Sequence, residues 1–336
     1  MNGFNRFRAR GHRVRAVSRG AATGPHDVQA ATAGAATAGA AAVRADITRA
    51  DGAVAACEGA AVVYQCAQPK YGRWTQEFPD LTRTVLAGAE AAGAKLVMAD
   101  NLYVYGPVDG PLSEDLPHAA VNPKGRVRAD VDELILGAHR SGRIRATLGR
   151  ACDYYGPGGV NTVLGPNVFA AAPAGRTIRW IGELDQPHTV SYLPDIAAGL
   201  VTLGERADAD GRAWHLPAAE PVTGRTFSAL VGAEAGGEPR VAGLGRSAQR
   251  LPGGVRAGQG HSACRGCGGD ARLVPVPVGG EREGRPGGAF SGLLTWCRPR
   301  RERPLGATDH ASKPLHIPRP FVLSPPIGSN GQSRAR

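Results

Sequence analysis

Lys95-Leu-Val-Met-Ala-Asp-Asn-Leu-Tyr-Val-Tyr-Gly-Pro107 decides how this chain of 336 residues is read. Its apolar run closes on Tyr-Gly-Pro, and a second run, Ile144-Arg-Ala-Thr-Leu-Gly-Arg-Ala-Cys-Asp-Tyr-Tyr-Gly-Pro157, closes the same way. Each reads as a buried strand with helix-like sequence before it and a Gly-Pro break after it. That is the spacing of successive βα units in a parallel sheet. Ligands of such sheets bind beyond the carboxyl ends of the strands, where both turns fall.

Working outward, Gly11 to Arg19 reads as a glycine stop followed by a strand, and Ala21 to Ala42 holds too little bulk to anchor a core. A short strand is expected at Ala45 to Thr48, a helix at Asp51 to Glu58 and a buried strand at Ala60 to Cys66. Phe78, Leu81, Val85, Leu86 and Ala89 form one stripe of a helix running to Ala92, and another helix is expected from Lys124 to Arg140. Later come a helix at Val160 to Ala172 and strands at Thr177 to Ile181 and His188 to Leu193. A helix from Pro194 to Leu203, with proline at its start, and a last strand at Trp214 to Leu216 complete the readable part. These late segments suggest a small substrate-covering lobe.

The chain is long enough for one large or two ordinary domains. Residues 1–239 carry 24 Lys+Arg and 24 Asp+Glu, whereas residues 240–336 carry 16 and 5, so the tail holds the whole formal excess of +11. Stretches such as Gly279 to Gly288 and Arg298 to Pro304 show no sustained apolar period, and the tail is expected to be mostly disordered. Its basic residues lack interleaved aromatic side chains, which argues against a nucleic-acid partner. Six cysteines, three of them (Cys57, Cys66, Cys152) in expected elements, suggest a reducing compartment. With neither a signal-peptide core nor a bilayer-length apolar run, the expectation is a soluble cytoplasmic protein with no membrane partner.

Other chemistries find little support. His261-Ser-Ala-Cys264-Arg-Gly-Cys267 has the spacing of half a zinc site that Cys297 or His310 could complete, but no second pair and no apolar framework accompany it. No metal is expected. Walker loops, serine-nucleophile elbows and His-Glu-x-x-His helices are absent from the sequence.

Several segments, in order and spacing, resemble the NAD-dependent epimerase/dehydratases, or extended short-chain dehydrogenases. They are Val17-Ser-Arg19, Asp46-Ile47, Tyr64-Gln-Cys-Ala-Gln68, Val104-Tyr-Gly106, the Arg-x-x-x-x-Tyr-Gly-Pro-Gly at Arg150 to Gly158, and Tyr192 to Ala197. The resemblance implies an α/β, Rossmann-like doubly wound parallel sheet in residues 1–155 and a small C-terminal substrate lobe in 156–235. The Arg/Gly/Pro-rich tail would occupy 236–336.

The cofactor implied is NADP, with NAD as the alternative. Arg19 stands just past a strand, where relatives that prefer NADP keep a cation for the 2′-phosphate; an ordinary exposed arginine is the other reading. Asp46 and Ile47 would flank the adenine, Cys66 and Ala67 would lie in the small-residue turn beside the cofactor, and Asp153, Tyr154, Tyr155 and His188 would border the substrate. Plain turn packing is the alternative for Asp153, Tyr154 and Tyr155, and a satisfied loop role is the alternative for His188.

Two departures from the family pattern stand out. The chain opens like the tail of the first helix, without the strand and glycine turn that hold the pyrophosphate, and two neighbouring strands are expected to keep unpaired edges. Aligned on Val104 to Gly106, Asn101 takes the Ser/Thr position, Lys124 that of the tyrosine acid, and Arg128 that of the lysine. Tyr105 or Tyr103 would be a substitute acid, although strand alternation lets only one side of the strand face the cleft and a tyrosine in such a turn more often packs.

The expected function is an NAD(P)-dependent epimerase/dehydratase-type oxidoreductase acting on a sugar nucleotide or related secondary alcohol, with a homodimer left open. The competing class is a catalytically silent relative that binds a dinucleotide or small ligand. Arg outnumbers Lys 36 to 4 beside abundant Ala, Gly and Pro, which suggests GC-rich coding and a frame change near residue 235 as the source of the tail.

Overall fold

The computed structural model describes residues 12–19, 41–157, 159, 162–244 and 293–297. In chain order the elements are β1 (Arg13–Ser18), β2 (Ala41–Arg44), α1 (Ala50–Cys57), β3 (Val62–Gln65), α2 (Trp74–Ala91), β4 (Lys95–Asn101), α3 (Pro123–Arg140), β5 (Ala146–Ala151) and β6 (Asp153–Tyr155). There follow β7 (Ile178–Ile181), β8 (Val190–Tyr192), α4 (Leu193–Glu205), β9 (Ala213–His215), α5 (Gly224–Glu234), β10 (Val241–Leu244) and β11 (Leu293–Cys297).

The main sheet has the order β2-β1-β11-β3-β4-β5-β9. All four residues of β3 and all six of β5 are buried, as befits parallel strands covered on both faces. The period of two divides their side chains. Val63, Leu96, Met98, Ala146 and Leu148 pack under α1, α2 and α3 on one face, while Val62, Tyr64, Val97 and Ala151 pack under α4 on the other. This is a Rossmann-like doubly wound sheet. A separate apolar cluster of Tyr155, Leu164, Val168, Ile178, Trp180, Val190, Phe227 and Val231 joins the late segments. Among the described residues no helix is long and apolar enough to cross a membrane.

Both Tyr-Gly-Pro turns need their glycine. Gly106 has φ 68° and Gly156 φ 120°, conformations that side chains resist. The first turn sends the chain away from β4 into the loop before α3. Asn122 caps that helix by accepting the Gly125 N–H at 2.8 Å, with Pro123 at the first helical position.

Several expectations are corrected. The strand placed at Ala45 to Thr48 lies instead at Ala41–Arg44, because the Asp46 carboxylate accepts from the Thr48 N–H (3.1 Å) and hydroxyl (2.7 Å) and turns the chain there. Val160 to Ala172 holds only a short π-helical turn at Gly165–Phe169 among its described residues. The run from Lys95 is a strand only to Asn101, and Tyr103–Tyr105 form a 3-10 turn.

The larger correction concerns the two strand edges expected to stay unpaired. β1 and β3 do not keep open edges. β11 runs between them, antiparallel to both, with Leu293 opposite Val17 and Gln65, and Trp296 opposite Val14 and Val62. The tail, expected to be mostly disordered, has two strands among its described residues, since β10 also pairs in parallel with β7. The rest of it, including the half zinc site at His261 to Cys267 and His310, lies outside the described residues; Cys297 ends β11.

Candidate functional site

The carboxyl ends of β4 and β5 meet the first turns of α3. Gly125 lets them approach, because a Cβ there would stand 2.5 Å from the Tyr103 carbonyl oxygen. Asn101 ends β4 and accepts the Tyr103 N–H through Oδ1 at 3.1 Å, which leaves its amide nitrogen to donate elsewhere. The Tyr71 and Tyr103 rings both pack on Trp74, at 5.0 and 6.1 Å between ring centroids, and the Lys124 ammonium sits 4.1 Å above the Tyr71 ring. Burial holds Lys124 below its usual pKa and both tyrosines above theirs. Asn101, Tyr103, Tyr71 and Lys124 thus form one contiguous group.

Arg128, one turn on, is committed inward. Its guanidinium lies 4.3 Å from the Trp74 and Phe78 rings and donates to Asp100 Oδ1 at 3.1 Å and Gln68 Oε1 at 3.2 Å. Only Nε is buried without a partner.

Tyr105 does not join this group. It is fully buried, its hydroxyl receives Arg150 Nη1 at 2.6 Å and lies 2.7 Å from His215 Nε2, and burial pushes its pKa up to about 12. Arg150 also donates from Nε to Asp100 Oδ2 at 3.2 Å and from Nη2 to Asp132 Oδ2, with His118 Nε2 at 2.9 Å. Burial, reinforced by the Asp100 charge, pushes the Asp132 carboxyl well above its ordinary value. Sequence reading missed this network; its one signal is a charged Arg150 inside a run otherwise apolar enough to be buried, which demands counter-charges.

Of the residues expected around the substrate, Asp153 and His188 lie together, with His188 Nε2 2.9 Å from Asp153 Oδ2. Burial opposes the His188 charge, but Cys152 and Asp153 outweigh it and raise its pKa well above the ordinary value. Tyr154 donates to the Asp100 carbonyl at 3.0 Å. Tyr155 packs into the late-segment core, 5.3 Å from Tyr192 and 5.5 Å from Phe227.

On the expected cofactor flank, Arg19 is exposed at the end of β1, and its charge helps hold the Asp46 carboxyl below the usual range, after the larger effect of the Thr48 hydroxyl. Ile47 and Ala67 are buried, and burial pushes the Cys66 thiol up to about 12. At the end of β3, Gln65 Oε1 is buried and has no hydrogen-bond partner among the described residues. The exposed cation at the end of β1 and the orphaned acceptor at the end of β3, with β11 between the two strands, are polar groups of the kind a dinucleotide engages.

The fold is similar to solved structures of low sequence identity. The UDP-glucuronic acid 4-epimerase of Bacillus cereus, in complex with UDP-glucuronic acid and NAD, matches at a TM-score of 0.62 and 17% identity over 78% of this chain and 85% of that one. UDP-glucose 4-epimerase of Thermus thermophilus, in complex with NAD, gives 0.59 and 19% over 76% and 85%. RMD from Pseudomonas aeruginosa, complexed with NADPH, gives 0.53 and 18% over 61% and 77%. No curated protein matches the sequence. The family model for the NAD dependent epimerase/dehydratase family matches residues 3–216, well over half of the sequence, and the chain belongs to that family.

Proposed function

We propose that the protein is an NAD(P)-dependent oxidoreductase of the epimerase/dehydratase type, acting on a sugar nucleotide or related secondary alcohol. The observation that carries this reading is the convergence of Asn101, Tyr103, Tyr71 and Lys124 where β4 meets α3. When bound, the nicotinamide ring supplies a hydride acceptor. The Asn101 amide nitrogen holds the substrate oxygen, and Lys124 takes the hydroxyl proton at Nζ. Lys124 is preferred to the tyrosines because its pKa is shifted down toward working pH, whereas those of Tyr71, Tyr103 and Tyr105 are shifted away from it. Arg128 acts as a positioning residue through Asp100 and the aromatic pair. Arg19 favours NADP, and Gln65 and the turn at Cys66 and Ala67 border the cofactor.

The complexes of the Bacillus and Thermus epimerases with NAD support a dinucleotide, and the UDP-glucuronic acid in the former supports a nucleotide-sugar substrate. The second reading, a silent dinucleotide-binding relative, is favoured by Arg128, whose two terminal nitrogens are already engaged where relatives keep a lysine. Titration with NADPH and NADH, followed by nicotinamide fluorescence, tests both. Saturable binding, tighter for NADPH and weakened by Arg19→Ala, is expected; binding with no turnover on any nucleotide sugar would select the silent reading, and no binding by folded protein would remove both.

A further inference from the structure

We propose that Tyr71 is a positioning residue: the face of its ring holds the Lys124 ammonium and so fixes where Nζ stands. The inference rests on the reading of Lys124 as the proton acceptor and deepens it. Lys124 is 5% exposed, and among the described residues its side chain has neither a carboxylate nor a hydrogen-bond partner. What meets Nζ is the Tyr71 ring, whose centroid is 4.1 Å away. A cation over an aromatic face is attracted by the negative π surface, and more strongly where water is excluded.

Local structure sets both partners. Tyr71 opens a 3-10 turn, Tyr71–Arg73, that leads into α2. Trp74 Nε1 donates to the Pro69 carbonyl at 3.2 Å across this turn, and Arg73 donates to Glu77 at 2.7 Å. The Tyr71 ring stands edge-on to Trp74, with 66° between the ring planes. On α3, Asn122 and Pro123 fix the first turn, so Lys124 and Arg128 rise one turn apart on one face. Each meets aromatic side chains from the start of α2, Lys124 that of Tyr71 and Arg128 those of Trp74 and Phe78.

The two cations differ in what balances them. Arg128 has the Asp100 carboxylate at 3.1 Å. Lys124 is buried in the first turn of α3, where the helix dipole disfavours positive charge, and a like charge follows one turn on. Burial is what holds its pKa down. The Tyr71 face opposes all three effects, so Nζ is placed and can still carry the proton it takes. Tyr103 after β4, Asp153 on β6 and Arg128 on α3 are the titratable and charged groups that act on Tyr71 itself.

The test is competitive acetylation of the full chain by acetic anhydride across a pH series, read lysine by lysine in peptides against a free lysine peptide as reference. The rate follows the neutral amine and so gives the midpoint at which Lys124 loses its proton. Tyr71→Leu removes the π face and keeps apolar bulk, and the Lys124 midpoint is expected to fall by about one pH unit, whereas Tyr71→Phe should leave it within about 0.3 of the parent. Where the protein turns over, the acidic limb of the kcat profile should move down with the midpoint. Pentafluorophenylalanine at position 71, with the shape of phenylalanine and a reversed quadrupole, carries the comparison where Tyr71→Leu does not fold, and it should lower the midpoint likewise. A midpoint unchanged or raised in the folded variants, or as low in Tyr71→Phe as in Tyr71→Leu, would overturn the proposal. The labelling needs neither dinucleotide nor turnover, so a lowered midpoint in protein that binds no nucleotide would uphold Tyr71 as the holder of Lys124 and remove only the oxidoreductase reading.

Discussion

Arg150 and Tyr105 bind each other twice over: Nη1 donates to the phenol oxygen at 2.6 Å, and the guanidinium carbon lies 4.9 Å from the ring centroid. The bond ties the end of β5 to the Tyr-Gly-Pro turn after β4 through a buried charge. Arg150 is also what keeps Asp100 and Asp132 apart electrostatically, since both carboxyls are fully buried and both bond to it.

Removing that cation should therefore cost more than removing any one of its partners. Arg150→Met leaves two buried carboxylates with Arg128 as their one remaining guanidinium, and the expected loss is about 3–5 kcal/mol. Tyr105→Phe removes one hydroxyl that serves Arg150 and His215, and the expected loss is about 1–3 kcal/mol. Urea unfolding of both variants at pH 7.5 checks the order; equal losses would mean that the guanidinium is not the hub.

The same network makes stability depend on pH. Burial depresses the pKa of His118, helped by the Arg150 charge, and burial likewise depresses that of His215 despite Glu114. A depressed folded pKa means that the unfolded chain takes up protons first as pH falls below the ordinary 6.5. The contribution of neutral His215 is thus present above pH 6.5 and is lost as pH falls toward its folded value. His188, raised well above 6.5, acts in the opposite sense: its contribution is complete below 6.5 and fades as pH rises through its folded value. The stability gap between the parent and His215→Gln should narrow between pH 7.5 and pH 5.5 in parallel denaturation curves, whereas a gap independent of pH would mean that His215 does not titrate in the fold.

What can be read from the sequence is local. The strands at Lys95 and Ala146 and the helix from Lys124 announce themselves through apolar period and flanking turns. β11 does not, because Leu293 to Cys297 is a short run between Gly- and Arg-rich stretches whose partners lie more than 200 residues away. The site divides on the same line. Asn101 and Lys124 are located by their spacing from Val104 to Gly106. Tyr71 is invisible, since only tertiary packing brings its ring under Lys124. Tyr105 does not face the cleft as strand alternation would allow, because a 3-10 turn sets where it points.

Gly204 on α4 crosses β3 where a Cβ would overlap the Tyr64 hydroxyl. Gly204→Ala should destabilise by about 1–3 kcal/mol, the usual cost of overpacking a filled core. Tyr64→Phe, by removing the oxygen in the way, should recover part of that loss in the double variant. Additive losses in the thermal melts would show that the two residues do not collide.

β11 supplies the most demanding test, because a non-native tail and a structural strand predict opposite results. If the sheet needs β11, a chain ending at residue 244 exposes the inner edges of β1 and β3, whose N–H and C=O groups then lose partners in the middle of the sheet. Amide exchange should rise by orders of magnitude at Val62 to Gln65 and Arg13 to Ser18, where opening becomes local. Protection at β4 and β5, which pair with each other over six residues, should persist. Unchanged exchange at β3 in the shortened chain would mean that β4 and the covering helices hold that strand by themselves, and that the antiparallel insertion contributes nothing to the fold.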